Sequence, residues 1–140
     1  MIRYMVQEII LKKINMPAVG SLNDDIDYIS KSFGYFSQRD KQETAGKIFR
    51  LLVKETPRNE KGLSSDKIAA KLGLSRGSVV HHLNRFISTG LVINEHNKYR
   101  LRSPSIQKSI EEIMADVDRM FNQMLQIAKD IDNKLGHRYR

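Results

Sequence analysis

The turn Gly73-Leu74-Ser75 constrains this chain more than any other stretch, because helical patterns run up to it and away from it. Before it, Ile68, Ala69 and Leu72 recur at helical spacing, with Ser65 placed to cap the helix and Gly73 to end it in a left-handed conformation. After it, Ser75 can cap a second helix by accepting a hydrogen bond from a free backbone N–H near Gly77 or Ser78, and Gly90 ends that helix. Two short helices joined by three residues make a helix-turn-helix.

The second helix has two unlike faces. Val79, Leu83, Phe86 and Ile87 form a stripe to be buried, while Gly77, His81, Asn84 and Ser88 lie opposite, flanked by Arg76, Ser78 and Arg85. A helix entering the DNA major groove needs small residues where it first meets the duplex, and donors and acceptors where it passes the base edges. The plainer reading is a solvated face with a basic bias. The next segments favour the first: Leu91-Val92-Ile93 and Tyr99-Arg100-Leu101 have strand composition, and Asn94 to Lys98 holds the turn formers of a hairpin. Alternation puts Tyr99 and Leu101 inward and Lys98, Arg100 and Arg102 on the other side, where a strand can track a phosphate backbone.

The run SRGSVVHHLNRFISTGLV resembles the recognition helix of ArsR- and MarR-type winged helix-turn-helix transcriptional regulators, and the resemblance covers residues 41–102. It implies that Arg76, Gly77, Ser78, Val80, His81, Asn84 and Arg85 face DNA, with His96 and Lys98 of the wing at the adjacent backbone. Ser75 at the cap and Arg100 on the outward strand complete the expected DNA contacts. The resemblance also implies a dimer.

Charge supports a polyanionic partner once it is located. Residues 41–102 carry 13 Lys and Arg against 5 Asp and Glu, whereas residues 1–40 balance at 5 and 5 and residues 103–140 at 6 and 6. The whole excess of +8 therefore sits in the segment with the paired helices and the hairpin. The chain has no cysteine, which removes disulfides and thiolate metal sites. No apolar run is long enough to span a bilayer, and MIRYMVQEIILKKI lacks a small-residue cleavage site after its apolar part, so a soluble cytoplasmic protein is expected.

At the start, Ile2, Met5, Val6, Ile9 and Ile10 share one side of a helical wheel; the segment could equally begin as a strand, and an amphipathic helix ending before Pro17 is the reading adopted. From Asp24 to Phe36 the apolar spacing predicts a short helix interrupted near Gly34. Asp40 and Glu43 form a capping-box-like pair opening a helix whose Ile48, Leu51 and Leu52 pack inward and which ends before Pro57. Leu63 suits a short strand pairing with the hairpin.

Beyond Arg102, Ser103-Pro104-Ser105 starts a helix expected to reach about Leu135. Ile106, Ile110, Ile113, Val117, Met120, Met124, Ile127 and Ile131 are separated by four and three in alternation, the heptad period of a coiled coil. Met114, Phe121, Ala128 and Leu135 widen the stripe, so a second packing partner is implied, the N-terminal segment being the nearest candidate. We expect Ile106, Ile110, Ile113, Val117, Met120, Phe121, Met124, Ile127 and Ile131 to form a dimer interface; the rival is a helix folded back on its own domain.

Little points to catalysis. His81 and His82 are adjacent, about 100° apart on a helix, whereas zinc on a helix needs residues at i and i+4. Glu111, Glu112, Asp116 and Asp118 read as the solvated side of the long helix, and Gly46, Gly73 and Gly77 show no nucleotide-binding spacing. The expectation is a mainly α chain with no cofactor or metal. It has an N-terminal helical extension (1–40), a winged helix-turn-helix (41–102, recognition helix 75–89 and wing 91–102) and a C-terminal dimerisation helix (103–140). The expected function is sequence-specific DNA binding by a homodimeric regulator. The alternative is a winged-helix module for protein interaction or DNA architecture, without choice of sequence.

Overall fold

The computed structural model of the chain describes residues 6–34 and 43–136. Among these, the elements follow in the order α1 (Leu22–Ser32), α2 (Thr44–Glu55), β1 (Leu63–Ser64), α3 (Ser65–Leu72), α4 (Arg76–Ser88), β2 (Val92–Glu95), β3 (Lys98–Leu101) and α5 (Ile106–Leu135). The protein is thus mainly helical, with one small antiparallel sheet and a long C-terminal helix.

Serine hydroxyls fix four of the helix starts. Ser21, Ser64, Ser75 and Ser105 sit in extended backbone and accept from the amides of Asp24, Lys67, Ser78 and Lys108. Each such cap is worth about 1 kcal/mol. At α3 the cap is Ser64 and not Ser65, which is buried in the first turn. Ser64 already has the extended backbone a cap needs, because it pairs with Lys98 in the sheet. At α2 the expected capping box is absent: Glu43 is itself the cap, in left-handed backbone with φ 54° and no side-chain bond, and Asp40 lies outside the described residues.

The core lies between α2, α3, α4 and the sheet. Ile48, Phe49, Leu52, Ile68, Val79, Leu83, Phe86, Leu91, Val92 and Leu101 are buried within it, and Phe49 meets Phe86 edge to face with centroids 5.9 Å apart. The sheet order is β1-β3-β2, with Leu63 opposite Tyr99 and Val92 opposite Leu101. His96 and Asn97 form the hairpin turn, both at positive φ (54° and 62°), the mirror-image geometry whose twist matches the strands. Gly62 has φ 85°, and a Cβ there would stand 2.5 Å from the carbonyl oxygen of Tyr99, so the chain can enter β1 only through glycine. Thr56 joins α2 to β3, its hydroxyl donating to the Leu52 carbonyl and accepting from the Leu101 amide.

From Val6 on, the N-terminal segment is not the helix its spacing predicts. Residues 6–20 run without regular structure as a strap across the ends of other elements. Gln7 and Glu8 donate backbone N–H groups to the carbonyl of Ser88 at 3.0 and 3.2 Å, and Lys12 donates to that of Ser32 at 2.8 Å. Those carbonyls close α4 and α1, where a helix leaves acceptors without partners. An extended strap satisfies them, and a helix would keep its amides for itself. Ile2 and Met5 lie outside the described residues, as do Phe36 and the tail after Gly136.

The long helix has the expected bounds, from the Ser105 cap to Gly136 in left-handed backbone, about 45 Å at 1.5 Å per residue. Its two halves differ. Ile113 is buried in the core of its own chain, and Ile106, Ile110, Val117 and Met120 pack against that core. From Phe121 to Gly136 every residue is exposed.

Candidate nucleic-acid interface

The polar face of α4 is open from Arg76 to Asn84, about two and a half turns. Arg76, Gly77, His81 and Asn84 are exposed, and a Cβ built on Gly77 would meet nothing within 4 Å. Ser75 is exposed as the cap, while Ser78 and Val80 are half-buried beside it. The last turn is occupied. Arg85 donates from Nη2 to the carbonyl of Gly34 at 3.2 Å, tying it to the end of α1, and the strap binds the carbonyl of Ser88. The free face therefore narrows from the stretch expected to Arg76, Gly77, His81 and Asn84.

Three contacts gather further cations around the start of α4. Arg76 lies 3.4 Å from Asp66 in the first turn of α3, both side chains being more than two-thirds exposed. Asp66 follows Ser64, whose hydroxyl caps α3 at Lys67, and Ser64 pairs across the sheet with Lys98. The start of α3, the start of α4 and the turn end of the hairpin thus form one neighbourhood, with Lys67, Arg76 and Lys98 all exposed in it. Lys67 was not among the residues expected here. Its signal was the i, i+4 spacing with Lys71 on the side of α3 away from Ile68, Ala69 and Leu72.

The hairpin presents His96, Asn97 and Lys98 exposed at its tip, but its arginines are held. Arg100 is half-buried, donating to Glu95 Oε1 at 2.6 Å and to the Leu101 carbonyl at 2.9 Å, so its guanidinium lies along the hairpin. Arg102, expected on the outward side, is buried with its side chain 5% exposed. It lies beyond the end of β3, where alternation no longer sets direction, and it pairs with Asp116 and Glu112 of α5.

Asp116, read from the sequence as solvated, is fully buried. It accepts from Arg102, from Arg119 and from the Val6 amide at 3.2 Å, so one carboxylate joins the hairpin exit, the long helix and the strap. Burial pushes its pKa up, but the hydrogen bonds from Arg102 and Val6, with the charges of Arg102 and Arg119, hold it below the usual carboxylate value. The available signal was its position between Ile113 and Val117, on the flank of the apolar stripe.

His81 is exposed and His82 half-buried, their rings edge to face at 5.3 Å, so the two point to different surroundings. Among the described residues no group of three or more His, Cys, Asp or Glu side chains is placed to hold a metal ion. No described helix is long and apolar enough to cross a membrane. Comparison of the chain with models of known protein families, with curated proteins and with solved structures finds no match in any of the three.

Proposed function

We propose that residues 44–101 form a winged helix-turn-helix and that the protein is a homodimeric, sequence-specific DNA-binding regulator working in the cytoplasm. In this reading α4 enters the major groove, the β2–β3 hairpin lies on the adjacent backbone, and α5 joins two copies. The observation that carries it is the open face of α4 from Arg76 to Asn84, fronted by Gly77 and bordered by Lys67, Arg76 and Lys98. The α4 face offers hydrogen-bonding groups to base edges, and the lysines offer charge to phosphates.

The test is specificity. Arg76→Ala and Asn84→Ala are each expected to weaken binding to a preferred duplex by about 1–3 kcal/mol while leaving random duplex nearly unaffected. Equal losses on both would assign these residues to phosphates. A wild-type protein with one affinity for all duplexes would favour an architectural role.

A further inference from the structure

Two features of α5 lack a covering in the single chain, and one partner accounts for both. The first is the outer half of the helix, where Phe121, Met124, Leu125, Ile127, Ile131 and Leu135 are each half or more exposed. The second is an apolar groove of about 400 Å³ along the inner half, walled by Ile9 and Leu11 of the strap, Phe33, and Ile110, Met114 and Val117 of α5. Phe121 belongs to both, ending the groove and beginning the exposed stripe.

We propose that the groove of each copy receives the outer half of the partner's α5, the two helices running antiparallel and crossing at Phe121. This rests on the dimeric reading above and gives it a geometry. The outer half cannot fill its own groove, because both lie on one uninterrupted helix. A second copy supplies an apolar stripe for each groove and a groove for each stripe, and the two-fold axis makes the contacts reciprocal. The midpoint of Ile106–Leu135 falls between Met120 and Phe121, so antiparallel crossing at Phe121 overlaps the helices along nearly their whole length. In that register Leu125 of one copy comes opposite Val117 of the other, and Ala128 opposite Met114. A small residue thus meets a long flexible one. The six side chains of the stripe, each half or more exposed, together offer on the order of 600 Å² per copy to be covered, and about 1,200 Å² for the pair, where stable specific interfaces begin. The exposure of Leu11 on the strap fits the same partner, since Leu11 lines the groove and has little packed over it within its own chain.

The chain has no cysteine, so pairs of introduced thiols report the geometry without background. Met114→Cys and Ala128→Cys are made separately, both at exposed positions of the full chain, and oxidised alone and as a mixture. The proposal expects a disulfide-linked dimer in the mixture and none in either variant alone, since bridging needs Cα atoms within about 7 Å. A spin label at Gln107→Cys should report a distance of about 40 Å between copies, from 28 residues at 1.5 Å each. Bridging within either single variant, or a label distance of about 10–20 Å, means parallel helices and overturns the proposal. A monomer in sedimentation, or a dimer in which the mixture fails to bridge, overturns it too. Bridging as expected, with no duplex selected from a random pool, would overturn the DNA reading and leave this geometry standing.

Discussion

Asp116 decides more at the scale of a single residue than its place on a charged helix suggested. Replacing it by Asn leaves Arg102 buried without its full charge partner, which should cost about 3–5 kcal/mol at neutral pH. Because the folded-state pKa lies below the ordinary value of 3.8, the stabilisation is complete above that value and is lost as pH falls through the lower folded pKa. Urea unfolding of wild type and Asp116→Asn from pH 7 to pH 3 checks this: the gap should be constant near neutrality and narrow only in the acid range. Gly77 makes the opposite case, because nothing in the fold occupies the space before it. Gly77→Ala should leave stability unchanged or raise it by up to about 1 kcal/mol, and should still weaken duplex binding by crowding the approach. A variant that binds as wild type would remove this turn of α4 from the interface. The open residues Gly77, His81 and Asn84 were legible from helical spacing alone. The positions of Arg85, Arg100 and Arg102 were not, because Gly34, Glu95 and Asp116 reach them through tertiary packing or hairpin pairing.

Among the elements, those with local punctuation were readable. Gly73, Ser75, Ser105 and Gly136 act on neighbours three or four residues away, so the end of α3, the start of α4 and both bounds of α5 follow from the sequence. The strap was not readable, since its amides answer the carbonyls of Ser88 and Ser32, which only the folded chain brings near. The hairpin separates in a similar way into a free lysine and a held arginine. Lys98→Ala should lower affinity evenly across sequences and reduce the log–log salt slope by about 0.9. Arg100→Ala should change the slope much less, because Glu95 already neutralises that guanidinium. Salt titrations of both variants on one duplex check the pair; an equal loss of slope would show that Arg100 leaves Glu95 to meet phosphate.

For the whole molecule, the heptad stripe was legible as a surface needing cover, but not its division at Phe121 between a half packed on the chain's own core and an exposed half. That division selects the variants. Val117 supports its own domain, so a charge there disturbs both fold and assembly, whereas Met124 and Ile131 are exposed in the single chain. Met124→Asp with Ile131→Asp should give a folded monomer by sedimentation and circular dichroism, with tight binding to a two-half-site duplex lost. A variant that remains dimeric would place the interface elsewhere. The most direct test of the central claim is selection of bound duplexes from a random pool by the wild-type protein. An enriched consensus with two-fold symmetry is expected, each half read by one α4. Recovery of duplexes with no shared sequence would contradict it.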